Sequence, residues 1–162
     1  MKITLEVFFL TVLTVNAWAQ TTLPGQLAGA WRGEGTIFGA ASSSEMRWEP
    51  ILGGKFVTLT WRNTWQGRDG KPQVFEGFGV YKSLGDGKCE GWWFDSRGVS
   101  FPIAATFDGK LLTSQWGSAD TESGRTTYRL VEDNLIEVID FVRSKDGSWK
   151  EFARATLKRT SV

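Results

Sequence analysis

The stretch Gly29-Ala30-Trp31-Arg32-Gly33-Glu34-Gly35 decides the fold of this 162-residue chain. Gly33 and Gly35 alternate with bulkier neighbours. Glycines inside a strand mark places where another backbone comes close, or where a barrel bends. We therefore predict that this stretch forms the first strand of a small closed β-barrel.

Short turn signals recur along the rest of the chain and divide it into strand-like segments. Pairs such as Asp69-Gly70 and Asp86-Gly87 favour the positive φ angles of tight hairpin turns. Between these pairs, β-branched and aromatic residues alternate with their neighbours, most clearly in 57–62 and 99–107. The pattern predicts about ten antiparallel strands, near residues 30–38, 44–52, 55–65, 73–82, 88–95, 99–107, 111–116, 125–132, 135–143 and 148–159.

The spacing of these segments predicts an all-β, up-and-down barrel. The loops between them are too short for parallel crossovers, which need about a dozen residues or more. Pairing of the last strand with the first would close the sheet and remove both edges. Pro102 cannot donate to a strand ladder, so we expect it at a bulge or at a weakly paired position.

The first residues have the order of a secretory signal peptide. Lys2 precedes an apolar core at 7–15, and Ala17-Trp18-Ala19 follows as an A-x-A cleavage site. The core is well short of the ~20 residues that span a bilayer as a helix. We expect a signal peptide at 1–19 and one β-barrel domain at 20–162, exported to the periplasm or the medium with no membrane span.

Composition excludes several kinds of chemistry. The chain has no histidine and one cysteine, Cys89, which removes Ser-His and Cys-His nucleophile systems and histidine zinc sites. The net charge of +1 gives no basic surface for nucleic acid. We predict no metal and no cofactor. A carboxylate pair such as Glu90 and Asp95 remains open for acid–base chemistry if buried.

Three motifs together carry a family resemblance. They are Gly29-x-Trp31-x-Gly33-x-Gly35, Phe75-x-Gly77-x-Gly79 and Trp93-Phe94-Asp95-Ser96-x-Gly98. The chain resembles the bacterial calycin-like barrels, and within them the nitrobindin-like families and their uncharacterised secreted relatives. The resemblance implies a ten-stranded barrel around a small cavity. By analogy with lipocalins, it implies that Trp31 plugs a closed end, covered by Arg154 or Arg159.

The chain departs from nitrobindins at the haem ligand. Nitrobindins hold haem iron through a histidine, and this chain has none. Tyr81 and Tyr128 are the remaining side chains of a type that binds haem iron as phenolate. Nothing in their sequence context argues for that role, so we predict no haem.

Aromatic and arginine side chains supply the candidate binding residues. Four tryptophans lie on apolar registers, where they either fill the barrel or form flat walls of a cavity. Arg62 and Arg129 either face solvent or point inward, where a guanidinium would hold a ligand carboxylate through two hydrogen bonds. The predicted ligand-binding set is Trp48, Trp61, Arg62, Trp92, Trp116, Tyr128 and Arg129.

The leading functional prediction is an exported carrier or sensor that binds a small, largely apolar molecule inside the barrel. A first alternative is an enzyme of the cyclase or isomerase kind that uses buried carboxylates. A second is carbohydrate binding, with Trp65 and Trp149 exposed near loops for stacking. The sequence carries no signal for the oligomeric state.

Overall fold

The computed structural model describes residues 23–160, which form a closed barrel of ten antiparallel strands preceded by one short helix. The predicted leader at 1–19 lies outside the described residues. The helix α1 covers Leu23–Leu27. The strands are β1 Gly29–Ile37, β2 Ala40–Ile51, β3 Phe56–Gln66, β4 Pro72–Gly85, β5 Lys88–Asp95, β6 Ser100–Phe107, β7 Leu111–Gly117, β8 Ser123–Glu132, β9 Leu135–Arg143 and β10 Trp149–Thr160.

The sheet is an up-and-down meander that closes on itself. Each strand pairs with the next one along the chain, and β1 pairs antiparallel with β10 from Ala30↔Thr160 to Ile37↔Ala153. The predicted all-β barrel is confirmed, and every predicted segment overlaps an observed strand. Within the described residues, no helix is long and apolar enough to cross a membrane.

The second strand begins four residues earlier than predicted. Phe38 and Gly39 form a two-residue turn with φ angles of 50° and 82°. Because that turn is so tight, Ala40 already pairs with Ile37. The sequence signal was weak here because Phe38 is an unusual residue for a left-handed turn position.

The glycines of β1 allow the barrel to close. A Cβ atom at Gly33 would overlap the carbonyl oxygen of Thr156, and one at Gly35 would overlap that of Arg154. Both obstacles are backbone atoms of β10, which cannot move aside as a flexible side chain does. Glycine is therefore required where β1 and β10 approach each other.

Pro102 is regularly paired with only one of the two strands beside β6. It pairs with Trp92 of β5 without a register shift. The pairing of β6 with β7 begins one residue later, at Ile103↔Trp116. Pro102 thus lies just outside the β6–β7 ladder, where its missing donor costs nothing.

A plug fills the end of the barrel at which β1 begins, called here the closed end. Leu27 and Trp31 are each 1% exposed, and the indole nitrogen of Trp31 donates to the carbonyl of Leu27 at 2.9 Å. The helix α1, a single turn too short for sequence periodicity, was not predicted. It brings Leu27 over the barrel interior.

Arg159 covers the plug from outside. Its guanidinium lies 4.0 Å from the centroid of the Trp31 ring. It donates hydrogen bonds to the carbonyls of Ala28 and Gln26, the latter at 2.9 Å. Arg154, the other expected cover, forms exposed ion pairs on the outer face.

Candidate ligand-binding cavity

A cavity of about 490 Å³ occupies the other half of the barrel. It opens at the end formed by the turns β1–β2, β3–β4, β5–β6, β7–β8 and β9–β10, called here the open end. Binding sites for small molecules typically measure roughly 300–1,000 Å³. The aromatic wall consists of Trp61, Trp65, Phe75, Trp93, Phe101 and Trp116.

Two glycines make room for the indoles of this wall. A Cβ at Gly77 would overlap the six-membered ring of Trp93, and a Cβ at Gly124 would overlap that of Trp116. Each indole therefore contacts a strand that lacks a side chain at the point of contact. The glycines of the Phe75-x-Gly77-x-Gly79 motif face inward and have this packing role.

Apolar side chains surround the entrance. Phe38, which is 70% exposed, stacks on Phe152 with ring centroids 5.5 Å apart. Val74 from β4 is 48% exposed on the same rim. An apolar rim lowers the cost of bringing an apolar molecule to the entrance, because it removes apolar surface from water before the molecule is fully inside.

An ion-pair cluster forms the rest of the entrance. Arg97 bonds to Asp95 at 2.8 Å and to Glu122 at 2.9 Å, and so connects the β5–β6 and β7–β8 turns. Asp95 also accepts the Arg97 backbone N–H at 2.9 Å and the Trp93 indole N–H at 3.3 Å. Burial alone would raise the pKa of Asp95, but the hydrogen bonds and charge of Arg97 outweigh it and hold the pKa low. The Trp93–Gly98 motif is therefore a turn structure.

Hydroxyl and amide groups lie on the inner wall. Ser44 donates to Asn63 Oδ1 at 2.6 Å, and the hydroxyls of Tyr81 and Ser114 are 3.2 Å apart. All four residues are buried. A buried polar group costs little when it is hydrogen-bonded. Asn63, Tyr81 and Ser114 line the cavity, so these pairs place polar atoms on its wall without a large penalty.

Asp140 is the charged residue deep in the cavity. It accepts a hydrogen bond from Thr126 Oγ1 to Oδ1 at 2.6 Å, and Thr126 Oγ1 in turn accepts from the Trp116 indole at 3.2 Å. Burial raises the pKa of Asp140 to about 6, against a smaller opposing effect of the Thr126 hydrogen bond. The carboxyl therefore titrates near neutral pH and is mainly ionised at pH 7.

The two tyrosines beside Asp140 stay protonated. Burial raises the pKa of Tyr81 to about 12, although its hydrogen bonds with Ser114 and Tyr128 oppose the effect. Burial, with the charges of Tyr81 and Asp140, raises the pKa of Tyr128 well above its usual value. Phenolate ligation of haem iron needs the deprotonated form, so these environments do not suit that role.

Three predicted binding residues lie together around the cavity: Trp61, Trp116 and Tyr128. Trp48 is buried one layer deeper, with its ring 5.2 Å from that of Tyr81 and 5.3 Å from that of Tyr128. Within residues 23–160, its indole nitrogen has no hydrogen-bond partner. Trp48 therefore supports the inner wall from behind.

Three other predicted residues point away from the cavity, and their assignment to it was wrong. Trp92 is 52% exposed because its neighbour Trp93 takes the inward register, in the room left by Gly77. Arg62 pairs with Glu76 on the outer face. Arg129 is exposed as well, because adjacent Tyr128 faces inward.

Sequence reasoning missed Asp140 as a cavity residue although a signal was present. Ile136, Val138, Asp140 and Val142 share one face of β9 by their period of two. The first two are buried and the last two line the cavity. Asp140 therefore continues an inward apolar series. Phe38 and Phe152 carried no such signal, because Phe38 lies in the β1–β2 turn and Phe152 lies at the register shift of β10.

The described residues do not form the other catalytic or metal sites that the sequence analysis considered. Glu90 pairs with Lys82 on the outer face, so it does not meet Asp95. No group of three or more potential metal ligands occurs within the described residues. Cys89 is buried, and burial raises the pKa of its thiol, which makes it a poor nucleophile.

Fold and site together define a closed ten-stranded β-barrel with one plugged end and one open cavity. No protein-family model matches the chain, and the comparison with curated proteins finds no match. Rv2717c from M. tuberculosis is 17% identical with a TM-score of 0.62, over 84% of this chain and 94% of that one. The S-type phycobiliprotein lyase CPES from Guillardia theta is 10% identical with a TM-score of 0.56, over 86% and 91%. These likenesses show a shared fold and no more.

Proposed function

We propose that this barrel binds a small, largely apolar molecule in its cavity, as a carrier or sensor. The observation that carries the proposal is the cavity of about 490 Å³ with indole and phenyl walls. A barrel that served only as a stable scaffold would gain from filling this volume, because cavities cost stability. The glycines under Trp93 and Trp116 instead set the indoles back against the wall.

The chain's motifs support a place among calycin-like barrels, with a resemblance to nitrobindin-like families. A haem function does not follow from it. The chain has no histidine, and the two tyrosines of the cavity are held protonated. We therefore assign the cavity to an organic ligand without bound iron.

Two adjacent positions on β6 test the cavity directly. Ile103 lines the cavity, whereas Ala104 is exposed on the outer face. Ile103→Trp would fill the cavity with an indole, and Ala104→Trp adds the same group outside. We expect wild type and Ala104→Trp to bind the neutral dye Nile red with enhanced fluorescence, and Ile103→Trp to bind it at least tenfold more weakly.

Equal dye binding by both variants would place the dye on the outside and overturn the proposal. Thermal melts check that each variant folds. If Ile103→Trp does not fold, Ser114→Phe fills the cavity from β7, with Gln115→Phe as its outward control. Ser114 lines the cavity, and Gln115 is exposed.

An acid–base enzyme remains a second candidate because of one observation. Asp140 lies in the cavity with a pKa of about 6, in the range that suits a general acid or base near neutral pH. The test is to incubate the compound recovered from the barrel with the protein in D₂O. Deuterium uptake or isomerisation that Asp140→Asn abolishes would support the enzyme; unchanged compound would support the carrier.

Carbohydrate stacking has less support. Trp65 lines the cavity instead of standing free. The exposed Trp92 and Trp149 lie on β5 and β10, on opposite sides of the ten-stranded ring. Arg125 also stacks on the Trp149 ring at 4.8 Å. These two indoles do not share one sugar-binding surface.

Export is part of the proposal and rests on residues 1–19 alone. The mass of the protein recovered from periplasm or medium tests it, since cleavage after Ala19 leaves a chain that begins at Gln20. Recovery of the uncleaved chain from the cytoplasm would contradict export. It would leave the cavity argument unchanged.

A further inference from the structure

We propose that the ligand carries a protonated primary or secondary amine that pairs with Asp140. The inference rests on the proposed function and names the chemical class of the ligand. The ligand would therefore have a cationic head at the inner wall and an apolar body toward the entrance.

The carboxylate of Asp140 has room for one more donor. Its Oδ1 accepts from Thr126 at 2.6 Å, and among the described residues no hydrogen bond reaches Oδ2. Asp140 lines the cavity, so this oxygen is reachable from within it. A buried carboxylate is costly unless it is paired, and an N–H⁺ donor supplies the missing partner.

The surroundings of Asp140 suit a cation. Trp61, Trp116, Tyr81 and Tyr128 line the cavity together with Asp140. Ring faces attract ammonium groups, most strongly where water is excluded. The tyrosine hydroxyls and Asn63 also offer oxygen atoms to the remaining N–H groups. Aromatic faces around a buried carboxylate combine the two features that favour an ammonium ion over a neutral group.

The charges of the cavity disfavour anionic ligands. Among the described residues that line it, three carboxylates stand beside a single cation, Arg97. Arg97 is already bonded to Asp95 and Glu122. Arg62 and Arg129, the two arginines predicted to bind a ligand carboxylate, lie on the outer face of the barrel. A fatty acid would thus meet a free carboxylate at the inner wall and no free cation.

The pairing predicts a specific pH dependence. The titratable groups facing Asp140 are Tyr128 on β8 and Tyr81 on β4, both protonated well past neutral pH. On β10 its paired neighbour is Ala153, which has no charge. Alkylamines stay protonated to about pH 10. Amine affinity should therefore rise from pH 5 to 7, as Asp140 ionises, and then level off.

Three probes with the same phenyl body and different heads test the inference by calorimetry: 2-phenylethylamine, 2-phenylethanol and 3-phenylpropionate. At pH 8 we expect the amine to bind wild type at least tenfold more tightly than the alcohol, with the carboxylate weakest. Asp140→Asn should abolish the preference for the amine. Glu137→Gln on the outer face of the same strand removes a carboxylate that does not line the cavity and should keep the preference.

Each outcome decides the inference. Equal binding of amine and alcohol by wild type, or a preference that persists in Asp140→Asn, overturns the amine but leaves the cavity function standing. Binding of none of the three probes overturns the amine, and if Nile red also fails to bind, the cavity function is overturned with it. If Asp140→Asn does not fold, the wild-type pH profile decides, because amine affinity must fall below pH 6 while alcohol affinity stays level.

Discussion

Asp140 and Glu137 lie on the same strand and face opposite sides of the barrel wall. Glu137 bonds to Arg154 at 2.8 Å on the outer face. Asp140 faces the cavity with the Thr126 hydroxyl bonded to it, and burial raises its pKa to about 6. Two carboxylates of one strand thus lie in different environments: Glu137 in a surface ion pair worth ~0–1 kcal/mol, and Asp140 in the cavity, where we propose that it pairs with a ligand.

The raised pKa of Asp140 predicts a pH-dependent stability difference. Its pKa is 3.8 when unfolded and about 6 when folded, so ionisation penalises folding as pH rises through this interval. At about 1.4 kcal/mol per pH unit, the full penalty above pH 6 is about 3 kcal/mol. Asp140→Asn keeps the acceptor for Thr126 and avoids the penalty. Urea denaturation should show that it gains stability over wild type between pH 4 and pH 8, by up to that amount.

The same measurements on Glu137→Gln provide the control, which should show no comparable gain. A constant difference between Asp140→Asn and wild type across this pH range would contradict the burial of an ionised Asp140. Because wild type and Asp140→Asn share every other carboxyl group, the difference between their free energies of unfolding reports on Asp140. Asp95, for example, has a lowered pKa and contributes stability that is lost as the pH falls.

Strands β4 and β5 pack through an indole and two glycines. Trp93 reaches across to the bare backbone at Gly77, and its Cε3 atom would lie 3.4 Å from a Cβ at Gly79. The period of two predicted that one of the adjacent residues Trp92 and Trp93 faces inward. Both are apolar, and the sequence prediction assigned Trp92 to the inside, whereas Trp93 faces the cavity. The glycines of the neighbouring strand decide it, and that information is not local to β5.

Gly77→Ala should destabilise the barrel or displace Trp93. The new Cβ would overlap the indole ring, and overpacking of this kind typically costs 1–3 kcal/mol. The matched control is Gly67→Ala in the β3–β4 turn, where the nearest atom is the flexible Asp69 carboxylate at 2.9 Å. Urea midpoints and near-UV circular dichroism report the change. Equal midpoints with unchanged aromatic signals would contradict the packing described.

At the closed end, one arginine near the end of the last strand holds the first strand and the segment before it. Arg159 of β10 stacks on Trp31 of β1 and donates to the carbonyls of Ala28 and Gln26. Lysine keeps the charge but lacks the planar fork. Arg159→Lys should therefore cost about 2 kcal/mol in urea denaturation. Arg154→Lys, in an exposed ion pair, should cost under ~1 kcal/mol; similar losses in both would argue against the plug.

The whole barrel divides into a filled half and a hollow half. The filled half contains fully buried side chains, among them Leu59, Leu112, Ile136 and Leu157. The cavity takes the space toward the open end. The packed core and the proposed binding cavity thereby lie in different halves of the barrel. The filled half holds the fold together, so the open half tolerates an internal cavity.

Most of the architecture was predictable from sequence, and the cavity was only partly so. Ten strands were predictable from the alternation of apolar and polar residues and from the turn pairs, and closure of the barrel from Gly33 and Gly35. All of these signals are local consequences of strand geometry. The inward residue of an ambiguous pair, such as Trp92 with Trp93, depends on the neighbouring strand. The pairing of Asp140 with Thr126 depends on register between β8 and β9, which local pattern does not supply.

The most direct test of a ligand-binding cavity uses the indole N–H resonances of the tryptophans. Trp61, Trp65, Trp93 and Trp116 line the cavity, while Trp31, Trp92 and Trp149 lie in the plug or outside and serve as internal controls. In ¹H–¹⁵N spectra, titration with 2-phenylethanol or 2-phenylethylamine should shift the first four and leave the other three in place. Shifts confined to Trp92 and Trp149, or no shifts with either probe, would contradict ligand binding inside the barrel.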